Sequence, residues 1–353
     1  MERIKKLREY MSKNNLDAVW ITKSENMRYY AGFTGTEGSA LVTEKECFFF
    51  ADFRYTKQAT AQCVGYEIKT ISFDKPVYDY LKELAVGQVG FEDEAMSVSQ
   101  YKQLIRVVDE NRLHGLKNAL TLLRAIKFED EIELIRQAAA IADKGFEYVL
   151  GIVKPGMTEK ELALELEFFM RRQGASGLSF DTIVASGIRS SMPHGVASDK
   201  VIEANDLLTL DFGCIYKGYC SDMTRTFVVG KASERQRELY HIVLDAQLQV
   251  LEGIKPGASC RELDAISRKV IGEAGYADFY GHGLGHGVGV EVHELPILNP
   301  KSDFILEKNM IITDEPGIYL PDFGGVRIED LILVTENGYE LLSRSPKEFI
   351  EIN

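Results

Sequence analysis

The first third of the chain alternates between short β-rich runs and segments with the apolar spacing of a helix. The β-rich runs extend from Asp17 to Thr22, from Ala40 to Ala51, from Tyr66 to Ile71 and from Gln88 to Phe91. Between the last two, Val77 to Leu84 repeats its apolar residues with helical period. Strands and helices that alternate in this way predict an α/β layer domain.

The pattern changes before the middle of the chain. It loosens between Leu113 and Ala125, and a long amphipathic helix is expected to start near Asp130. A chain of 353 residues exceeds the usual size of one domain. We therefore expect a small α/β domain over residues 1–122 and a second domain over residues 123–353.

The second domain contains an internal repeat. Lys154 to Leu162 matches Lys255 to Leu263, and in both copies one helix is expected to end at Pro-Gly and the next to begin with a capping box. The second helix of each copy is expected to stop at a glycine. The residues concerned are Thr158 with Glu161 and Ser259 with Glu262 for the boxes, and Gly174 and Gly275 for the stops.

The repeat continues into the β-rich segments. Asn205 to Gly213 matches Asn309 to Gly317, and this alignment sets Asp211 on Glu315. Each copy reads as helix, helix and then strands, which predicts two α/β halves related by a pseudo-twofold axis. Binding sites occur preferentially at such seams, so we expect the functional site between the halves.

Composition and charge exclude several classes of protein. The formal net charge of −13 is expected to be spread along the chain, which repels phosphate backbones and makes nucleic acid an unexpected partner. The N-terminus has the pattern of a charged amphipathic helix, and no apolar run approaches the roughly 20 residues that span a bilayer. Five cysteines without a Cys-x-x-Cys pair indicate free thiols, and a cytoplasmic protein without a membrane partner.

Four carboxylates lie within apolar runs of the second domain. Asp211 interrupts the strand predicted from Leu207 to Phe212, and Asp222 follows it after a hairpin turn. Glu315 and Glu329 lie in corresponding β-rich runs of the second half. A charge inside a strand is costly unless it is paired or bound to a metal. Taken alone, Asp222 or Glu329 is more often a cap or a salt-bridge partner, but the matching positions in the two halves favour metal ligands.

Four like charges at one seam require a counter-charge, which two divalent cations supply better than a few arginines do. Oxygen-rich ligation with one imidazole suits manganese, cobalt or zinc. We expect that imidazole in the segment Gly281–Gly289, at His286. Four of the six histidines lie near the proposed ligands, namely His194, His282, His286 and His293.

Other interpretations of these residues are weaker. His293 in Val292–Pro296 resembles half of a zincin helix, but it lacks the second histidine, and Pro296 would break the helix. Gly281–Gly289 lacks a complete nucleotide-binding glycine pattern. His194 alone is equally well explained as a turn residue. The thiols Cys214 and Cys220 are better explained as buried structural residues than as redox groups.

The order of motifs resembles that of the Xaa-Pro peptidases (prolidase and aminopeptidase P) of peptidase family M24. The motifs are Asp-Phe-Gly at 211–213 with Asp222 following, Gly-His-Gly-Leu-Gly-His-Gly at 281–287, His-Glu-x-Pro at 293–296, Glu-Pro-Gly-Ile-Tyr at 315–319 and Val-Arg-Ile-Glu-Asp at 326–330. The resemblance covers the whole chain. It implies a creatinase-like α/β N-terminal domain followed by a catalytic domain with the pita-bread fold.

The resemblance also implies a ligand set for two divalent ions per subunit, with Mn²⁺ expected first and Co²⁺ or Zn²⁺ as alternatives. Asp211 and Glu329 would bridge the two ions, Asp222 would bind one, and His286 and Glu315 would bind the other. Creatinases lack this set and scaffold relatives have often lost ligands, so the complete set favours a metallo-exopeptidase.

The implied reaction is hydrolysis of the peptide bond between an N-terminal residue and proline by a metal-bridging hydroxide. Glu315 would carry the proton, His293 and His194 would donate hydrogen bonds to the oxyanion, and Arg327 would orient the carboxylates. On the substrate side the expected residues are His282 and, by position alone, Phe180 and Val292.

Three questions stay open at this point. The resemblance implies a homodimer, with Asp52–Tyr55 as a candidate contact segment. The motifs do not separate a dipeptidase from an aminopeptidase for longer Xaa-Pro peptides. Another amide hydrolase of the same family, or a peptide-binding scaffold without activity, are the alternative functions.

Overall fold

The computed structural model describes residues 2–84 and 87–352 and divides the chain into two compact units. These units are Met1–Arg124 and Ala125–Asn353. The extent of each domain, with a boundary expected between residues 122 and 123, stays a prediction. Within the described part of the chain, no helix combines the length and the apolar character needed to cross a membrane.

The N-terminal unit contains a six-stranded mixed sheet with helices around it. Its helices are α1 (Glu2–Lys13), α2 (Ser24–Ala31), α3 (Thr56–Gln62), α4 (Val77–Leu84), α5 (Val98–Leu104) and α6 (Ala119–Ala125). Its strands are β1 (Ala18–Ile21), β2 (Ser39–Thr43), β3 (Cys47–Asp52), β4 (Glu67–Ile71), β5 (Val89–Phe91) and β6 (Leu113–Gly115), and Glu110–Arg112 forms a 3₁₀ turn.

The strand order is β4-β3-β2-β1-β5-β6. The pairs β1–β2 and β2–β3 are antiparallel, and the pairs β3–β4, β1–β5 and β5–β6 are parallel. The β-rich run predicted from Ala40 to Ala51 is two strands, because the chain turns at Glu44 and Lys45. The hydroxyl of Thr43 accepts from the Glu46 N–H at 2.9 Å and closes this turn. The sequence pattern reads as one run because both strands are apolar, and both are apolar because each is buried on both faces.

The second unit holds four helices and fourteen strands within its described residues. The helices are α7 (Glu129–Ile152), α8 (Glu159–Arg172), α9 (Glu234–Gly253) and α10 (Cys260–Glu273), with 3₁₀ turns at Gly187–Ser191 and Ala277–Phe279. The strands are β7 (Gly177–Leu178), β8 (Ile183–Ser186), β9 (Asp206–Phe212), β10 (Cys214–Tyr216), β11 (Tyr219–Cys220), β12 (Met223–Val229), β13 (Gly285–Gly287), β14 (Glu294–Leu298), β15 (Ile311–Asp314), β16 (Gly317–Leu320), β17 (Gly324–Arg327), β18 (Asp330–Val334), β19 (Tyr339–Leu341) and β20 (Glu351–Ile352).

The two halves of this unit repeat one arrangement. α7 and α8 pack on β9 and β12 of the sheet β20-β12-β9-β8, around Phe146, Leu210 and Phe227. α9 and α10 pack on β15 and β18 of the sheet β14-β13-β15-β18-β19, around Leu263 and Ile312. This confirms the mixed α/β fold with an internally doubled second domain.

The repeated sequence motifs form matching local structures. Thr158 and Ser259 both begin a helix, and both second helices end in Schellman motifs. In these motifs Gly174 has φ +106° and Gly275 has φ +88°, values that favour glycine. The last backbone bonds run from Ala175 N to Met170 O and from Tyr276 N to Ile271 O, each 3.1 Å.

The two capping boxes are not equal, which corrects the prediction of two complete boxes. Thr158 accepts from the Glu161 N–H at 3.1 Å, and the Glu161 carboxylate accepts from the Thr158 N–H at 2.7 Å. Ser259 accepts from the Glu262 N–H at 3.4 Å, but the Glu262 carboxylate does not accept in return from the Ser259 N–H. The first box is complete and the second is half formed.

This difference predicts unequal effects of two equivalent substitutions. Glu161→Ala should lower the thermal unfolding temperature, because it removes a formed bond, whereas Glu262→Ala should leave that temperature unchanged. Thr158→Ala should lower the free energy of unfolding by about 1 kcal/mol. Circular dichroism melts of the three variants check this, and equal effects of the two glutamate substitutions would contradict it.

Candidate metal centre

The first two carboxylates are positioned by neighbouring strands of the first half. Asp211 lies in β9 opposite Thr224 of β12, and Asp222 immediately precedes β12. The β10–β11 hairpin between them turns at Lys217 and Gly218, which both have positive φ. Both aspartates are buried, with 8% and 4% of their surface exposed. The predicted hairpin is confirmed, and it returns the chain so that the two carboxyl groups interact.

The other two carboxylates lie just outside strands of the second half. Glu315 follows β15 and accepts from the Thr313 hydroxyl at 3.2 Å. Glu329 lies between β17 and β18 and accepts from the Thr224 hydroxyl at 2.6 Å. Thr224 belongs to the first half, so this bond joins the two halves at the site. Each glutamate thereby keeps one orientation with its remaining oxygen available.

His286 completes the group from β13. Its Nε2 atom lies 3.3 Å from Glu315 Oε1 and 3.6 Å from Asp222 Oδ2. Its Nδ1 atom lies 3.1 Å from its neighbour's carbonyl oxygen, Gly287 O, to which a protonated Nδ1 donates. This bond selects the tautomer that leaves Nε2 free to bind a cation.

The glycines around His286 permit a close approach of strands. A Cβ atom at Gly285 would collide with the carbonyl oxygen of Thr313, and one at Gly287 would collide with that of Leu295. The glycine-rich segment is therefore explained by tight packing of β13 between β14 and β15. No nucleotide-binding role is needed to account for it.

The five side chains form a concentrated negative site. One ligand atom each from Asp222, His286 and Glu329 lies within 4.8 Å of the others. In the described structure, the Oδ1 atom of Asp211 is buried without a hydrogen-bond partner. A buried acceptor without a donor is costly, and a cation at this position would satisfy it. The donor set of four carboxylates and one imidazole fits a divalent metal.

Burial and mutual repulsion dominate the titration of these groups. Burial, then the charge of Asp211, raises the pKa of Asp222 well above its usual value, and burial followed by Asp222 does the same to the pKa of Glu329. Burial also acts to raise the pKa of Glu315, but the hydrogen bond and charge of His286 hold this pKa at about 2. Burial acts to lower the pKa of His286, yet Glu315 and Asp222 raise it to about 9. A protonated His286 thus serves as a partial counter-charge, a role that would pass to a bound metal.

Arg327 provides a second, permanent counter-charge. Its Nη2 atom lies 2.5 Å from Asp211 Oδ2, and its Nε atom donates to the Thr224 hydroxyl at 3.1 Å. Its Nη1 atom donates to the Tyr319 hydroxyl at 2.8 Å and to the Pro193 carbonyl oxygen at 3.2 Å. Arg327 therefore orients one carboxylate and also holds the backbone just before His194.

His282 is connected to this network through Tyr319. The Nε2 atom of His282 lies 2.9 Å from the Tyr319 hydroxyl, and its Nδ1 atom lies 2.7 Å from Gly283 O. Since Arg327 can only donate to Tyr319, the tyrosine hydroxyl is free to donate to His282. Burial lowers the pKa of His282. These contacts orient the ring as a neutral imidazole.

Two further predicted histidines lie at the edge of the site. The rings of His293 and His286 are edge to face, with centroids 4.4 Å apart. Burial, and then the charge of His286, lowers the pKa of His293, and the charge of the exposed His194 acts in the same direction. β14 begins at Glu294, so His293 precedes a strand, in agreement with the rejection of a zincin helix.

The two apolar residues suggested for a proline pocket have different surroundings. Val292 packs against a core cluster that includes Tyr219 and Val288. Phe180 is half-buried between β7 and β8. Their roles toward a substrate stay predictions.

The residues that hold the glycine-rich segment in place do not stand out in the sequence. Asp264 of α10 is fully buried, and its Oδ1 atom accepts from the Leu284 N–H at 3.0 Å. Arg268, one turn later, pairs with Asp264 at 2.6 Å and donates to the carbonyl oxygens of Tyr280 at 3.1 Å and His282 at 2.5 Å. The i, i+4 spacing of Asp264 and Arg268 is the available signal, but it is common on exposed helices.

Both parts of the chain match known family models. The model described as metallopeptidase family M24 matches residues 133–336, and the model of the creatinase/prolidase N-terminal domain matches residues 3–126. The chain belongs to metallopeptidase family M24. A divalent metal is therefore part of this M24 enzyme's chemistry, and the residues described above fit it.

Relatives of this M24 peptidase match along nearly its whole length. The structure of an Xaa-Pro dipeptidase from Bacillus anthracis has a TM-score of 0.95 and 48% identity, covering 99% of both chains. The Xaa-Pro dipeptidase of Pyrococcus furiosus is 40% identical, again over 99% of both chains. The structure of an X-Pro aminopeptidase from Thermotoga maritima has a TM-score of 0.89 and 38% identity, covering 96% of this chain and 98% of the other.

The Asp264–Arg268 pair predicts an effect on metal binding in this M24 peptidase. Arg268→Lys should weaken the affinity for Mn²⁺ about tenfold, because lysine cannot bind Asp264 and two carbonyl oxygens together, and residues that position metal ligands have effects of this size. Competition with a fluorescent chelator measures it. Arg261→Lys, on the same helix and half exposed beside Asp303, is the matched control and should leave the affinity unchanged. Equal affinities of the two variants would contradict the assignment.

Proposed function

We propose that this M24 peptidase hydrolyses the peptide bond before proline in a metal-dependent reaction, with Xaa-Pro dipeptides as its preferred substrates. The observation that carries the proposal is the complete set of Asp211, Asp222, His286, Glu315 and Glu329 at one buried site. Its full-length similarity to the Xaa-Pro dipeptidases named above supports the choice of substrate. A non-catalytic scaffold would not require such a costly group of buried charges.

We further propose that the site holds two divalent ions, Mn²⁺ first and Co²⁺ or Zn²⁺ as alternatives. Asp211 and Glu329 would bridge them, Asp222 would bind one ion, and His286 and Glu315 the other. Ligand atoms of Asp222 and His286 lie within 4.8 Å of each other, close enough to share one ion, so their assignment to different ions is a proposal. Paired ions lower the pKa of a shared water and polarise the scissile carbonyl when they are bound.

Glu315 is the residue proposed to move the proton. Its carboxylate is ionised beside a protonated His286, and a bound cation would keep it ionised once His286 releases that proton. A hydrogen bond from Thr313 leaves its second oxygen available. It can accept a proton from the attacking water and release it to the imide nitrogen of the departing proline. The permanent charge of Arg327 opposes the rise in the pKa of Asp211 that burial causes, and the ion pair aligns this carboxylate.

His293 and His194 are proposed to hydrogen-bond the oxygen on which negative charge develops. His293 stands beside His286 with its pKa lowered by burial, so it is mainly neutral near pH 7 and can donate one N–H. Arg327 holds the loop of His194 through Pro193. His282 is proposed to line the substrate side, oriented by Tyr319, and Phe180 and Val292 to contact the proline ring.

Two broader proposals concern the protein's setting. All five cysteines are free and buried, which suits the reducing cytoplasm. A homodimer is proposed through Asp52–Tyr55, where Phe53 is 83% exposed and Arg54 pairs with Asp52 and Glu37 at 2.6 and 2.5 Å. Aromatic residues and arginine are enriched at protein–protein interfaces. The proposed partner is a second copy of this chain.

The substrate preference is tested by hydrolysis of Ala-Pro and Ala-Pro-Ala side by side. The metal is stripped, and manganese, cobalt or zinc is restored separately. Faster cleavage of Ala-Pro is expected. Selective cleavage of Ala-Pro-Ala would instead identify an aminopeptidase, like the X-Pro aminopeptidase of Thermotoga maritima to which the chain is also similar. Cleavage of neither peptide with any metal would overturn the proline assignment and favour another amide hydrolase or a scaffold.

The residue roles are tested by two substitutions at the same site. Glu315→Ala should abolish turnover, because it removes both a metal ligand and the proton carrier. His293→Ala should lower kcat roughly 100-fold to 1,000-fold, the usual effect of losing one oxyanion donor, while metal content stays at the wild-type value. Metal analysis separates the roles: metal loss in His293→Ala would make this histidine a ligand instead.

A further inference from the structure

A cavity of about 950 Å³ lies within the N-terminal unit. α1, the end of α2, the turn between β2 and β3 and the segment 62–67 surround it. Its volume is that of a pocket for a small organic molecule, which ranges over about 300–1,000 Å³. The proposed metal ligands do not line this cavity. Its chemistry therefore requires a separate explanation.

The lining of the cavity carries more positive than negative side chains. Of its acids, Glu67 is already paired with Lys69 at 2.6 Å. The cations that line it are Arg3, Lys5, Arg8, Arg28 and Lys45, and the acids are Glu9, Glu46 and Glu67. This excess of positive charge favours an anionic occupant.

The charge of the surrounding unit strengthens this contrast. The whole chain has a net charge of −13, but the first 124 residues contain 18 Lys and Arg against 17 Asp and Glu. The expectation of a negative charge spread along the chain is therefore wrong, because the excess of acids lies in the second unit. An anion that approaches the N-terminal unit meets a nearly neutral body with a positive cavity.

Arg8 shows that the positive charge is not neutralised by the unit itself. Its guanidinium is half-buried and donates to Thr43 O at 2.9 Å and Glu46 O at 3.4 Å, both backbone carbonyl oxygens. Within residues 2–84 and 87–352, neither Arg8 nor Arg28 forms an ion pair with a carboxylate. The same holds in those ranges for Lys45. The positive charge of a half-buried guanidinium with only neutral partners is not compensated, so it can attract an anionic ligand.

Aromatic and apolar groups form much of the rest of the wall. Tyr29 and Tyr30 are buried, with 4% and 6% exposed, and the hydroxyl of Tyr66 donates to Tyr30 O at 3.1 Å. Cys47 is buried beside Arg8, with its Sγ atom 3.5 Å from Arg8 Nη2. Such walls suit the uncharged body of an organic molecule. A bare inorganic ion would leave most of the cavity unfilled.

We propose that this cavity is a binding site for a small organic anion, whose phosphate or carboxylate group lies against Arg8, Arg28 and Lys45 and whose uncharged part lies against the tyrosines. Arg8 is already oriented by two carbonyl oxygens, so binding orders one fewer flexible side chain. The site uses none of the proposed metal ligands and does not depend on the reaction proposed for them.

Calorimetric titration of the full-length, metal-loaded chain tests the proposal with three probes. Adenosine monophosphate and succinate represent phosphate and carboxylate ligands, and adenosine is the uncharged control. We expect at least one of the two anions to bind and adenosine not to bind. The anion that binds identifies the source of the charge. Failure of both anions at millimolar concentration would overturn the proposal.

Matched variants locate the binding. Arg28→Gln combined with Lys45→Gln should weaken the anion's affinity about tenfold, because two charge-assisted contacts are lost and partial solvent exposure weakens each of them. Lys57→Gln removes an exposed cation of α3 outside the cavity and should leave the affinity unchanged. Equal affinities of these variants would overturn the assignment.

A third variant excludes the metal centre as the source of binding. Asp222→Asn should leave the affinity for the anion unchanged, and its loss in this variant would move binding to the metal centre and contradict the proposal. Lys5→Gln combined with Lys45→Gln, both exposed, repeats the test without altering Arg28 and should also weaken binding. Thermal unfolding of each variant confirms that the N-terminal unit is folded.

Discussion

The second unit is organised around one electrostatic constraint, the burial of four carboxylates at the seam between its two halves. Like charges in a low-dielectric site repel strongly, and their pKa values rise unless a counter-charge is present. Burial and mutual repulsion raise the pKa values of Asp211, Asp222 and Glu329. Arg327 offsets this in part, and so does a protonated His286 until it releases its proton to bind a metal. A divalent metal bound here would supply the remaining counter-charge, which would link metal binding to the stability of the site.

The fold meets this constraint with side-chain bonds that join its two halves. Thr224 of the first half holds Glu329 of the second, and Arg327 of the second half holds Asp211 of the first. These reciprocal bonds cross the pseudo-twofold axis, so neither half can form the site alone. A similar crossing occurs behind the site, where Arg225 donates to the carbonyl oxygen of Glu329 at 2.5 Å and pairs with Asp330 at 2.7 Å.

The N-terminal unit is governed by a different balance. It is nearly neutral overall, yet Arg8, Arg28 and Lys45 line one cavity without a carboxylate partner among the described residues, whereas the excess acids of the protein lie in the catalytic unit. Arg54 is instead neutralised by Asp52 and Glu37 at the segment proposed for a dimer contact. The two regions of this unit therefore differ in charge. The arginine of the proposed dimer segment is neutralised, and the cavity has an excess of cations.

The sequence by itself determined the fold class, the internal repeat and the identity of the proposed ligands. Helix caps and terminal glycines act through neighbouring residues, and the carboxylates stand out because they interrupt apolar runs of the sequence. Only the tertiary structure decided which distant residues support them. Asp264 and Arg268 looked like an ordinary pair on a helix, and Thr224 and Thr313 like ordinary strand residues. Most of their partners lie far away in sequence, and hydrogen bonds of this kind form only when packing brings the segments within about 3 Å.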